Sequence, residues 1–209
     1  MAEIIALANQ KGGVGKTTTA INLAAGLACL GQDTLIVDLD PQANATSGLG
    51  IDKNTVEGGA YENLVEMVPA EKTIKATSIE LLDILCSSSD LVSAELQLAG
   101  GVSRENRLRN SLKSIRGAYS FIIIDCPPSL GLLTLNALAA ADKVLVPIQG
   151  EYYALEGLTA FLQTVLICQE RLNTNLTVEG AVLTMVIVWA RARWPQPSPS
   201  RSSRKPPAS

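Results

Sequence analysis

The sequence predicts an α/β fold: a mostly parallel sheet with helices on both of its faces. Two observations carry that reading. Short apolar runs of strand length alternate with longer stretches of helical spacing, from Ile4 to Met185. The links between them are short, which suits crossover connections of parallel strands. A third observation concerns function: polar motifs sit at the carboxyl ends of three of the apolar runs. In an open parallel sheet, ligands bind beyond those ends.

Ile4–Ala8 is the first apolar run and ends in a glycine-rich turn. Thr18–Leu30 has helical spacing, with Ile21, Leu23, Ala24, Leu27 and Ala28 largely on one face and Gly31 at the C-cap. Thr34–Val37 reads as a buried strand ending at Asp38, and Pro41–Gly50 as a polar loop. Tyr61–Val68 is expected to be a short helix and Leu81–Cys86 a strand. Leu91–Ala99 and Arg104–Ile115 read as helices. Ser120–Ile124 is the clearest strand and ends at Asp125, before Pro127 and Pro128. Leu130–Ala141 reads as an apolar helix, Val144–Pro147 as a strand, Leu155–Leu172 as a helix and Val178–Met185 as a strand.

The 209 residues suit one domain, and 47% hydrophobic content excludes global disorder. Only 4% are aromatic, which argues against a base-stacking RNA module. There is no histidine, which removes Ser-His-Asp triads, Cys-His pairs and most zinc sites. Cys29, Cys86, Cys126 and Cys168 form no close pair and read as reduced core residues of a cytoplasmic protein. The N-terminus lacks the pattern of a signal peptide, and no apolar stretch is long enough to span a membrane.

Charge divides the chain in two. Residues 1–185 hold 12 basic and 20 acidic side chains, a balance of −8, while 186–209 hold five basic and none acidic. That second segment contains five of the ten prolines and both tryptophans. It is expected to be a basic Pro/Ser-rich tail, disordered from about Pro195. The domain boundary is therefore placed between 185 and 186.

The strongest motif is Lys11-Gly12-Gly13-Val14-Gly15-Lys16-Thr17-Thr18, between the first strand and the first helix. Glycines there let backbone N–H groups wrap phosphate oxygens, and a helix N-terminus adds positive potential. Lys16 has the reach for β- and γ-phosphates, and the Thr17 hydroxyl can ligate Mg²⁺. The general phosphate-loop pattern would need a glycine at Gln10; a second lysine, Lys11, followed by two glycines makes this the deviant Walker A form. Asp38 and Asp40 close the second strand and are expected on one side of it. Two carboxylates beside a Mg-nucleotide can orient a water and bias its proton. Asp125, after Phe121-Ile122-Ile123-Ile124, has the Walker B arrangement for holding Mg²⁺ directly or through water.

ANQKGGVGKTT, VDLDPQANAT, IIIDCPPSLG and EYYALEGL occur in that order. With them the chain, from about Ala2 to Met185, resembles the ParA/Soj family of chromosome- and plasmid-partitioning ATPases, within the deviant-Walker-A MinD/ParA group. The resemblance implies a P-loop NTPase fold, ATP and Mg²⁺ as cofactors, and an ATP-dependent dimer. It implies non-specific DNA binding, hydrolysis stimulated by a ParB-type centromere-binding protein, and a cytoplasmic, nucleoid-associated location. Lys11 resembles the lysine that reaches across the dimer to the partner's phosphates. Gly13 would allow close approach of that partner. Asp40 matches the carboxylate that positions the attacking water, Asp38 would support the metal site, and Asp125 matches the Mg²⁺-linked aspartate.

Beyond Met185 the family's continuation, with its adenine-contacting segment and last strands, is not recognisable. The expectation is an altered reading frame or mis-joined gene end near codon 186, an exposed apolar sheet edge and weakened nucleotide and DNA binding. Two alternatives stay open: a non-catalytic ParA remnant acting only through an intact paralogue, and a MinD-like membrane-positioning ATPase. An iron–sulfur electron donor of the nitrogenase iron-protein type lacks its partner cysteine beside Cys126. Arg104, Arg107, Arg109, Lys113 and Arg116 form either a solvated helix face or a DNA-facing surface. The Tyr152–Leu158 motif reads as core and interface packing.

Overall fold

A computed structural model of the chain describes residues 1–150 and 157–186 in full and the backbone of 154–156. The expected disorder beyond about Pro195 and the role of Tyr152 and Tyr153 lie outside the described residues.

Among the described residues, seven strands form one sheet: β1 (Glu3–Leu7), β2 (Thr34–Asp38), β3 (Ile74–Ala76), β4 (Leu82–Leu85), β5 (Phe121–Asp125), β6 (Lys143–Gln149) and β7 (Thr177–Thr184). Their order is β3-β4-β2-β5-β1-β6-β7, and every pairing is parallel except β3 with β4. Among the described residues, seven α-helices connect them: α1 (Lys16–Cys29), α2 (Asn44–Gly48), α3 (Ala60–Leu64), α4 (Leu91–Leu98), α5 (Arg107–Leu112), α6 (Leu132–Ala140) and α7 (Ala154–Arg171).

Side-chain alternation divides the core into two layers. Leu35 and Val37 of β2 and Ile122 and Ile124 of β5 pack with α3 to α7. Ile36 and Ile123, between them in sequence, pack against Ala20, Ala24 and Ala28 of α1. Small residues on α1 let that helix lie close to the central strands. The α/β expectation therefore holds, with both faces of the sheet covered.

Several boundaries differ from the sequence reading. α1 begins at Lys16 rather than Thr18, because Gly15 at its N-cap takes a left-handed φ of 82° and turns the loop straight into the helix. The expected loop 41–50 contains the short helix α2. The helix expected over Arg104–Ile115 is a 3₁₀ turn (Arg104–Asn106) followed by the shorter α5. β3 had no counterpart in the sequence reading. Cys86, Cys126 and Cys168 are buried as expected, but Cys29 is at the surface, and all four are free. β7 carries a bulge: Val144 pairs with Val178 and Leu145 with Gly180, so Glu179 is extra. Its carboxylate joins Glu3 in holding Lys143 Nζ, at 2.8 and 2.6 Å.

Candidate functional site

Three strand tips meet beside the glycine loop. Asp125 is in register with Leu7 of β1 on one side and with Asp38 of β2 on the other. Asp38 and Asp125 share the alternation phase of Ile36 and Ile123, so both belong to the face that carries α1 and α2. Sheet register thus brings together residues that are far apart in sequence.

The loop is shaped from outside itself. Gly13 and Gly15 have φ of 71° and 82°, the left-handed region that glycine enters without cost. Asn9 Oδ1 accepts from the Lys11 N–H at 3.0 Å, and its Nδ2 donates to the Pro147 carbonyl at 2.7 Å. Gln149 Nε2 donates to the Gly13 carbonyl at 3.2 Å. Thr184 Oγ1 donates to the Val14 carbonyl at 2.7 Å. The ends of β6 and β7 therefore clamp the loop against β1. Gly12, Val14, Lys16, Thr17 and Thr18 follow in the same turn into α1, with Val14 buried.

Lys16 is 6% exposed and its Nζ donates to the Lys11 carbonyl at 3.1 Å, closing the loop across its mouth. Burial lowers its pKa, while the charges of Asp125, Cys126 and Asp40 act in the opposite direction. The Lys16 ammonium thus lies within electrostatic reach of both Asp40 and Asp125. Lys11 Nζ donates to Gln149 Oε1 at 3.0 Å.

The three carboxylates have different surroundings. Asp38 is fully buried and saturated: its oxygens accept from the Asp40 N–H at 3.2 Å and from the Thr46 N–H and hydroxyl, both at 2.8 Å. Burial still pushes its pKa up to about 6, against those hydrogen bonds. Asp40 lies just past the end of β2, is 8% exposed and accepts from the Gln42 N–H at 2.9 Å. Asp125 is fully buried, and neither of its oxygens makes a well-formed hydrogen bond. Burial first, and then the charge of Asp38, push its pKa up to about 7, with the nearby Thr17 hydroxyl pulling the other way.

That arrangement fits a cation at Asp125. An ionised carboxylate withdrawn from water without donors is costly unless positive charge stands beside it. Among the described residues, no three His, Cys, Asp or Glu side chains converge to cage a metal by themselves. An ion there would take its remaining ligands from Thr17, water and the phosphates of a bound molecule. Asp38 is different: its oxygens accept from the Asp40 and Thr46 N–H groups and the Thr46 hydroxyl, which ties the 38–46 turn together. Ser87 completes that turn, donating its hydroxyl to the Asp40 carbonyl at 2.6 Å and its N–H to Thr46 Oγ1 at 2.9 Å.

Sequence reasoning missed Asn9, Thr46, Ser87, Gln149 and Thr184. Asn9 and Thr46 lie inside the quoted motifs but had no role assigned, and Ser87, Gln149 and Thr184 are lone polar residues with no motif spacing. The 104–116 basic residues do not make one face: Arg104 pairs with Glu105, Arg116 with Asp142, and Arg107 faces a cavity away from the loop. Among the described residues, no helix is long and apolar enough to cross a membrane.

A family model described as an AAA domain matches residues 2–178. The sporulation initiation inhibitor protein Soj of Bacillus subtilis (strain 168) is 54% identical over 186 residues, covering 89% of this chain and 74% of that protein. The chromosome partitioning protein ParA of Myxococcus xanthus (strain DK1622) is 52% identical over 185 residues, covering 88% of this chain and 65% of that one. The chain thus spans about two thirds to three quarters of the length of these relatives. Among solved structures, cobyrinic acid a,c-diamide synthase of Mycobacterium smegmatis with bound ADP and magnesium superposes with a TM-score of 0.85 at 40% identity, covering 88% of this chain and 74% of that one. A plasmid partition protein of Borrelia burgdorferi superposes with a TM-score of 0.72 at 32% identity, covering 86% and 77%. The deviant glycine loop, the register of Asp38 with Asp125, and identity of this extent lead to one conclusion: the chain belongs to the Soj/ParA family of chromosome-partitioning ATPases.

Proposed function

We propose that this chain binds and hydrolyses Mg-ATP to drive a DNA-partitioning switch. The observation that carries the reading is Asp125: a buried carboxylate with no well-formed hydrogen bond, beside Thr17 and Lys16 at the mouth of a glycine loop. The Mycobacterium smegmatis relative was solved with ADP and with an ATP analogue, each with magnesium, which supports the same ligands here. Thr17 and Asp125 would hold the magnesium ion, which when bound neutralises charge on the phosphates.

The chain's own groups supply the rest. Backbone N–H groups of 12–18 cradle the phosphates, and Lys16 turns its ammonium from the Lys11 carbonyl to a phosphate oxygen. Asp40, just past the end of β2, orients the attacking water and accepts its proton. Asp38 holds that turn rigid through Thr46. Lys11 exchanges Gln149 for the phosphates of a second copy across an ATP-dependent dimer. Charge supplied in trans in this way is worth about 10³–10⁵ in rate in other NTPases. The dimer binds DNA without sequence preference, and a ParB-type partner triggers hydrolysis and release. The cytoplasm, at the nucleoid, is where that cycle runs.

A thermal melt with and without Mg-ATP tests the reading. At a hundredfold excess over Kd, binding adds about 2.7 kcal/mol, which raises the midpoint by roughly 5–10 °C in a chain of this size. Lys16→Ala loses the rise. Asp40→Ala keeps it and loses phosphate release. Lys11→Ala keeps it and loses both dimer formation and turnover. No rise in the wild-type chain overturns the proposal.

A further inference from the structure

On the sheet face opposite α1, a cavity of about 610 Å³ opens between the end of α3 with its following turn and the segment around α5. None of its lining residues belongs to the glycine loop or to the three strand tips. Its volume is that of a site for a small organic molecule.

Its walls carry an unmet polar demand. Among the described residues, five buried side-chain atoms have no hydrogen-bond partner. Two are the oxygens of Asp125; the other three are Asn63 Oδ1, Arg107 Nε and Ser111 Oγ, and all three residues line this cavity. Folded proteins leave few such atoms, and each calls for a physical reason, a bound water or ion among them. Asn63 is 2% exposed, and its Nδ2 donates to the Val68 carbonyl at 2.9 Å, which fixes the amide and leaves Oδ1 unpaired. Arg107 makes no ion pair among the described residues. At the mouth, the Ser114 hydroxyl donates to the Ser111 carbonyl at 3.3 Å, and its closeness to the exposed Glu71 carboxyl holds that group below its usual pKa. Met67 and Ser103, on the two rims, both have left-handed backbone, with φ of 58° and 53°. Non-glycine residues seldom adopt it, and such strain collects at binding sites.

The ligand's chemistry follows from these groups. Arg107 Nε is a charged donor and calls for an anion. Asn63 Oδ1 and the Glu71 carboxylate are acceptors and call for hydroxyl donors. Ser111 can serve either. We propose that this cavity is a second ligand site, separate from the nucleotide site, for a small anion that carries hydroxyl groups. Both hydroxy-carboxylates and phosphorylated sugars have that chemistry.

Calorimetric titration of the full chain with citrate and with glucose 6-phosphate, each without magnesium or nucleotide, tests this and separates the two sources. At least one probe is expected to bind wild-type protein at millimolar concentration or below. Arg107→Gln should weaken that binding at least tenfold and Ser111→Ala several-fold, whereas Lys16→Ala should leave it unchanged. Ser111→Ala removes one hydroxyl from a half-buried position and keeps the test open if Arg107→Gln fails to fold. Binding lost in Lys16→Ala and kept in Ser111→Ala would place the anion at the glycine loop and overturn the proposal. So would absence of binding by either probe at 10-fold above millimolar concentration. The result bears only on this cavity, since Mg-ATP binding is read in a separate experiment.

Discussion

Asp125 and Asp38 stand side by side at the tips of β5 and β2, both withdrawn from water. In the unfolded chain a carboxyl titrates near 3.8, whereas burial pushes Asp125 up to about 7 in the fold. Between those values the folded form binds more protons than the unfolded one. Stability of the nucleotide-free protein therefore falls as pH rises from about 4 to 7, and is level above. Asp125→Asn removes the buried charge. It should stabilise the empty protein at pH 8 by about 2–4 kcal/mol, with the gain shrinking toward pH 4. Urea unfolding at both pH values measures this, and a gain independent of pH would show the wrong cause. Asp38 calls for the opposite experiment, because its charge already has donors. Thr46→Val strips one of them from Asp38 and strands the Ser87 N–H. The expected loss is about 2–3 kcal/mol in chemical denaturation, and Thr46→Ser should restore most of it.

The elements that sequence reasoning located are those whose own residues dictate them. Phe121–Asp125 and Thr34–Asp38 are β-branched or aliphatic runs buried on both faces, and Ala20, Ala24 and Ala28 mark the inner stripe of α1. The same local chemistry made the Lys11–Thr18 loop and Asp125 legible. What was not legible depends on partners distant in sequence. Asn44–Gly48 has no apolar stripe; it is helical because Thr46 is anchored to Asp38. Ile74–Ala76 is a strand only because β4 offers it an edge. Thr184 and Gln149 gain their roles from the sheet order, which sets β6 beside β1 and β7 beside β6. That dependence is testable at Thr184, whose hydroxyl bridges the Val14 and Ile148 carbonyls at 2.7 and 3.1 Å. Thr184→Val should cost about 1 kcal/mol and weaken Mg-ATP binding several-fold. Unchanged affinity in that variant would mean that the loop holds its shape without β7.

At the scale of the whole molecule, the two edges of the sheet are unlike. The β3 edge is three residues long, antiparallel and carries Lys75, features that discourage pairing with another chain. The β7 edge is eight residues long, and among the described residues no strand pairs with its outer side. Leu183 is 62% exposed, and Val178, Met185 and Val186 are exposed with it. A long strand with free backbone groups and apolar side chains is a template for a second copy. The full chain should therefore self-associate without nucleotide as its concentration rises, in addition to the ATP-dependent dimer proposed above. Leu183→Lys places a charge on that edge, away from the Thr184 hydroxyl that reaches the loop. It should shift sedimentation profiles toward monomer at equal concentration and leave the Mg-ATP melting rise intact. Identical profiles for the two proteins would show that the β7 edge does not drive association.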